Sequence, residues 1–175
     1  MFSVFSNLSL SLQTQNYTMI QRIQTVYLAV AAAALAIAFF FPVISFINEG
    51  QIWLDVYLKG FQDNSAPLVG LSNNLLIPLM ILVILVIVMA VSAVFLYKNR
   101  KLQMRLTRLG IVLLLVVIAL IFFYYANILA KATSTAPDFN HPGVYLLLVS
   151  LAMFILANRS ISKDDKLVRS ADRLR

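Results

Sequence analysis

The sequence has no cysteine, a single histidine and few charged residues. Without cysteine the chain cannot form disulfides or thiolate metal sites, and it has no cysteine nucleophile. Its one histidine, His141, cannot supply two imidazole ligands to a haem or complete a multi-ligand metal site by itself. We therefore expect no metal site and no cofactor.

Charge of both signs is scarce. Asp, Glu, Lys and Arg make up 12% of the residues, whereas soluble globular domains contain about 25%. The apolar fraction is 61% and the mean hydropathy is +0.88, which favours lipid as the solvent, because a helix satisfies its own backbone hydrogen bonds there. The net charge of +7 comes from cations that are clustered at the ends of apolar runs. Membrane topology and anionic headgroups explain this clustering, so we expect no nucleic-acid partner.

Four long apolar runs predict four transmembrane helices, at about 26–47, 75–97, 109–130 and 143–157. A helix of about 20 residues spans a hydrocarbon core of about 30 Å. We expect an all-α integral membrane protein, an up-down bundle of four transmembrane helices that forms a domain over 19–158. Between the first two runs, residues 52–59 alternate loosely and precede Gly60, which is typical of a short hairpin or of an irregular loop.

The loop Lys98–Arg108 holds five of the fourteen Lys and Arg residues. A short loop this basic is retained in the cytoplasm. This loop, the N-terminal segment and the C-terminal tail together hold twelve Lys and Arg residues, whereas the two other loops hold two. We expect both termini to be cytoplasmic, and the third helix to begin near Lys101 and continue to Ala130.

The two ends of the chain differ in composition. Residues 1–18 carry no charge, so they are either a disordered tail or an upstream extension of a chain that starts at Met19. Residues 159–175 are basic. Within them Ser162 resembles an N-cap, and the pattern that follows predicts a separate amphipathic helix suited to a membrane surface, with a solvated coil as the alternative.

No motif for catalysis is present. The four predicted spans contain no Asp, Glu, Lys, Arg or His, which argues against a proton relay or an ion-coupled transporter. There is no phosphate-binding loop, dinucleotide fingerprint or zinc-protease helix. We expect no enzymatic activity and no catalytic residues.

The two end motifs and the four runs resemble a known family. Residues 19–25 (MIQRIQT) and 165–175 (DKLVRSADRLR) are similar to those of an uncharacterised bacterial four-span inner-membrane family, domain of unknown function 4293. The resemblance covers residues 19–175 and implies the bacterial cytoplasmic (inner) membrane as the location. It supplies no functional residues.

The most direct hypothesis is a structural, assembly or accessory membrane component that binds anionic lipid or a protein partner at its cytoplasmic face. The alternatives are a small lipid or solute carrier, and an outer-face enzyme for lipid headgroups that uses His141 with an acidic loop residue. The candidate binding residues are all basic: Lys98, Arg100, Lys101, Arg105, Arg108, Lys166, Arg169 and Arg173.

Overall fold

The computed structural model describes residues 23–48, 51–63, 73–96 and 99–172. These residues form four helices and four short strands. In order they are α1 (Ile23–Ala38), β1 (Pro42–Asn48), β2 (Gln51–Tyr57), β3 (Gly60–Asp63), α2 (Ile77–Phe95, preceded by a 3₁₀ turn at Asn73–Leu76), α3 (Arg100–Thr133), β4 (Pro137–Asp138) and α4 (Pro142–Asp172).

The first apolar run is divided between a helix and a strand, so the prediction of one continuous helix over 26–47 is wrong. Helix α1 ends at Ala38, and the N–H groups of Phe39, Phe40 and Phe41 bond three residues back, which tightens the last turn. Pro42 cannot donate to a helical carbonyl and disfavours helical geometry at the residue before it. The β-branched and aromatic residues that follow then form β1.

The strands form one antiparallel sheet in the order β3-β2-β1-β4, so the fold is not all-α. Of the alternatives left open for residues 52–59, the hairpin is the one that forms, because β2 pairs with β3 through Tyr57 and Gly60. The sequence did not indicate that β1 would pair with β2 on its other edge, or that Phe46 would pair with Pro137 of β4. The sheet therefore ties the segment after α1 to the segment before α4.

Helices α2 and α3 form an antiparallel hairpin. Pro78 lies in the first turn of α2, as expected for a residue without an N–H, and the predicted unbroken third helix is confirmed over Arg100–Thr133. Residues Leu120–Tyr125 of α3 form a π-helical turn, where the Ala126 N–H bonds to the Ile121 carbonyl. Tyr125 beside this turn donates from its hydroxyl to the carbonyl of Leu75, at 3.1 Å, and so joins the end of α3 to the start of α2.

Helix α4 runs without a break through the predicted fourth span and most of the tail. Ser162 is therefore not an N-cap, and no separate amphipathic helix begins there. The physical reason is a continuous buried stripe at helical spacing, which consists of Ser150, Phe154, Ala157, Ile161 and Asp164. This stripe extends past the end of the apolar run and stays buried against the other helices, so the helix continues over the same residues.

Three of the described helical segments are long and apolar enough to cross a membrane: Asn74–Phe95, Arg100–Thr133 and Pro142–Lys166. Helix α1 is apolar but shorter. The protein is therefore mostly helical, with a small sheet at one end of the helices and most of the described basic residues at the other. We call these the sheet end and the basic end.

Candidate functional site at the basic end of the helices

The predicted basic stripe on α3 is exposed at the start of that helix. Lys101, Arg105 and Arg108 lie one helical turn apart and all face outward. Asn99 caps the helix by accepting a hydrogen bond from the N–H of Leu102, at 3.4 Å. Because the cap fixes where the helix begins, it fixes the direction in which this stripe points.

Helix α4 contributes further cations to the same end. Arg159, Lys163 and Lys166 are exposed there. Of the remaining predicted binding residues, Lys98 and Arg173 lie outside the described residues, and Arg169 is described only as part of the helical backbone. The structure thus brings Lys101, Arg105, Arg108 and Lys166 to one end of the molecule, as exposed cations that can face anionic groups.

Arg100 behaves differently from the other predicted cations. Its Nη1 lies 3.2 Å from Oδ2 of Asp164 on α4, and the Asp164 side chain is only 4% exposed. Asp164 thus pairs with the residue that precedes the exposed basic stripe of α3. Removing one member of a buried ion pair leaves an uncompensated charge and typically costs about 3–5 kcal/mol. The pair therefore holds the basic ends of α3 and α4 together.

Three amide side chains lie on the same halves of the helices as this ion pair. Arg100 pairs with Asp164, and Gly110 faces the ring of Phe154, so Gln103 lies at about the level of Ile161 on α4, one turn from Asn158. Ser150 donates to the carbonyl of Ala31 on α1, at 3.3 Å. Gln24 of α1 lies two turns from that contact, toward the basic end, at about the level of Asn158.

These five residues, Gln24, Arg100, Gln103, Asn158 and Asp164, lie on the basic-end halves of α1, α3 and α4, and we call them the polar cluster. Gln24 is 4% exposed and Gln103 is 1% exposed. Arg100 Nη1 and Asp164 Oδ2 have each other as ion-pair partners. One buried amide atom of each of the other three residues has no hydrogen-bond partner: Gln24 Nε2, Gln103 Nε2 and Asn158 Oδ1. Each buried polar group left without a partner costs about 1–3 kcal/mol.

The sheet end carries the residues of the predicted outer-face enzyme. His141 Nε2 lies 3.8 Å from Oδ2 of Asp138, so the structure does bring the histidine to an acidic loop residue. The Asp138 carboxylate also accepts the N–H of Asn140, at 2.9 Å, and the Asn140 amide accepts the hydroxyl of Tyr145, at 2.7 Å. These bonds hold the turn before α4. Among the described residues no group of three or more His, Cys, Asp or Glu residues could hold a metal ion.

Aromatic and polar side chains elsewhere on the helices have structural partners. Phe122 stacks on Phe139, with ring centroids 4.4 Å apart, next to the sheet. Asn127 is exposed and donates to the Phe123 carbonyl of its own helix, at 2.6 Å. The Ser150 hydroxyl, which contacts the carbonyl of Ala31 on α1, also donates to the carbonyl of Leu146 on its own helix, at 2.8 Å.

Sequence reasoning missed the polar cluster because its members are far apart in the chain. A usable signal was present on α3, where Gln103 and Thr107 continue the heptad spacing of Gly110, Leu114 and Val117. A buried stripe that changes from apolar to polar at one end indicates a polar interior there.

One comparison with known proteins gives a match. The model of the family described as Domain of unknown function (DUF4293) matches residues 20–174. No curated protein matches the chain.

Proposed function

The chain belongs to the family described as Domain of unknown function (DUF4293), and we propose that it is a non-enzymatic accessory protein of the bacterial inner membrane that binds anionic lipid. In this proposal all four helices cross the membrane, and both termini lie in the cytoplasm with the basic end. The shorter α1 crosses together with the segment that leads into β1. The protein acts as a structural or assembly component rather than as a catalyst.

The observation that carries the proposal is the set of exposed cations at the ends of the long apolar segments. Lys101, Arg105 and Arg108 follow the start of the segment Arg100–Thr133, and Lys163 and Lys166 lie at the end of Pro142–Lys166. Cations in this position lie beside lipid headgroups. Their attraction to an anionic surface is additive over several residues and decreases as salt increases.

The test is lipid binding by the purified protein. The triple variant Lys101→Gln/Arg105→Gln/Arg108→Gln should bind phosphatidylglycerol about a hundredfold more weakly than wild type in native mass spectrometry, since each cation contributes roughly a factor of five. The matched control is Lys59→Gln/Lys131→Gln, which removes two cations outside the basic end and should leave binding unchanged.

An equal loss in both variants would mean that total charge, rather than the basic end, determines binding. Unchanged binding in the triple variant would refute the lipid proposal. In that case a protein that co-purifies with wild type but not with the triple variant would identify the basic end as a protein-binding surface instead.

A further inference from the structure

The sheet end carries an exposed aromatic side chain that the proposed function does not use. Phe40, in the turn after α1, is 73% exposed. It continues an exposed stripe of apolar residues that follows α1 at helical spacing: Val26, Val30, Ala33 and Ile37. The Phe40 N–H bonds to the Ile37 carbonyl, at 3.0 Å, so Phe40 lies one tight turn beyond Ile37 on the same side. In the proposed membrane placement this stripe faces lipid, and Phe40 lies at its end.

A cation from another part of the chain lies beside this ring. Lys59 is exposed in the turn that joins β2 to β3, and its Nζ lies 5.9 Å from the centroid of the Phe40 ring. The same Nζ lies 5.8 Å from the centroid of the Tyr57 ring, at the end of β2. A cation at about 6 Å or less from a ring centroid is attracted by the negative face of the ring. The end of the exposed stripe on α1 and the tip of the β2–β3 hairpin therefore lie at the same level.

The tip of this hairpin packs against the rest of the protein and does not project away from it. Leu58, the other residue of the turn, is fully buried and belongs to the hydrophobic core. Leu54 and Val56 are buried in the same core from one face of β2. Because side chains alternate along a strand, Tyr57 lies on the opposite face of β2. The core thus fixes the position of Tyr57 and Lys59 relative to the helices.

The side chains around Lys59 are those that suit the boundary between lipid and water. An ammonium group is costly in the hydrocarbon core, whereas an exposed phenyl ring favours removal from water. Tyrosine is enriched at membrane interfaces, and lysine places its stem along apolar groups with its charge toward water. Lipid is the expected occupant of this surface, because the apolar stripe along α1 continues to Phe40 without a polar residue.

We infer that the β2–β3 hairpin docks on the surface of the lipid leaflet opposite the basic end. Phe40 and Tyr57 lie at the boundary between the acyl chains and the headgroups, and Lys59 lies among the headgroups. The sheet is then a membrane-surface element that phospholipid contacts directly, and it does not stand in the water outside. This inference rests on the membrane placement proposed above, but not on anionic lipid binding at the basic end.

Spin labels on single cysteines measure the depth of these positions in the full-length protein. Wild type has no cysteine, so Phe40→Cys or Tyr57→Cys gives a unique site for a nitroxide. In phosphatidylcholine vesicles, power saturation compares access to oxygen, which concentrates in lipid, with access to a water-soluble nickel chelate. Both labels should lie about 15 Å from the bilayer centre, half of a hydrocarbon core of about 30 Å. Val116→Cys, at an exposed apolar position midway along Arg100–Thr133, is the matched control and should lie near the centre.

The label on the hairpin decides between the possible occupants of this surface. If Tyr57→Cys fails to fold, as judged by size-exclusion chromatography, Lys59→Cys in the exposed turn takes its place. A hairpin label that the nickel chelate reaches as freely as in water would overturn the inference, since the sheet would then stand outside the membrane. A label shielded from both reagents would also overturn it, because a second copy or another protein would then cover the surface. An aqueous reading at Val116→Cys would refute the membrane placement itself, whatever the hairpin label shows.

Discussion

The contact between Gly110 of α3 and Phe154 of α4 gives the sharpest test of the helix packing. A Cβ added at Gly110 would lie 2.7 Å from Cε1 and 3.2 Å from Cζ of the Phe154 ring. Carbon atoms in favourable contact are about 3.5–4.0 Å apart. Phe154 is fully buried, so its ring has no free space into which it can move. In Gly110→Ala the two helices must therefore separate, or the ring must leave its rotamer.

We expect Gly110→Ala to lower the free energy of unfolding by about 1–3 kcal/mol, the usual cost of overpacking a core. In water the higher helix propensity of alanine would offset about 1 kcal/mol of this. In a membrane this offset is small, because a helix that separates from its neighbours stays helical and keeps its backbone hydrogen bonds. The helix propensity of residue 110 therefore changes the free energy of unfolding little. The clash thus dominates the measured change.

The assay is a double-mutant cycle with Phe154→Leu, which removes the two ring atoms nearest to the added methyl group. Unfolding is followed by SDS titration of the protein in mixed micelles. In the Phe154→Leu background Gly110→Ala should cost almost nothing, which gives a coupling energy of about 1–3 kcal/mol between the two positions. Phe123→Leu is the matched control, because Phe123 lies on α3 but is 76% exposed, and there Gly110→Ala should keep its full cost. Additive effects of Gly110→Ala and Phe154→Leu, within about 0.5 kcal/mol, would show that α3 and α4 do not pack through this contact.

Two further predictions concern the sheet end and the topology. In Gly143→Ala the new Cβ would lie 2.4 Å from the carbonyl oxygen of Pro42, a backbone atom that no rotamer change can move, so we expect a loss of stability above about 3 kcal/mol in the same SDS titration. Wild-type stability in that variant would contradict the packing of α4 on β1. Alkaline phosphatase should be active when it is fused after Asp63 or Asp138, and inactive when it is fused after Arg105. The enzyme folds only outside the cytoplasm, and the basic end is proposed to lie in the cytoplasm. Inactive fusions at both outer positions would refute the proposed orientation.

Much of the helical architecture could be predicted because apolar runs and charge are local properties of the sequence. The run after Asn74 and the run after Leu109 are long enough to span a membrane, and α2 and α3 match them closely. The start of α3 could also be predicted, since Asn99 and the basic residues after it mark a helix that begins before its apolar part. The exposed stripe at Lys101, Arg105 and Arg108 follows directly from helical spacing.

The first apolar run and the polar cluster were decided by tertiary structure. Pro42 and the β-branched residues after it favour a strand over 42–48, but the sequence does not indicate which strands it pairs with. Its partners are β2 and β4, and β4 lies some ninety residues away in the chain. The continuation of α4 past Ser162 likewise depends on the contacts of Ile161 and Asp164 with other helices.

The sequence by itself determined which segments are apolar, where the cations lie and how the residues of each helix are distributed over its faces, because these depend only on composition and helical period. Only the tertiary structure decided that Gln24, Gln103 and Asp164 are buried and that Asp164 pairs with Arg100. The physical reason is that burial of a polar side chain depends on which helix packs against it and in which register. That register is set by distant contacts, such as Ser150 with Ala31 and Gly110 with Phe154.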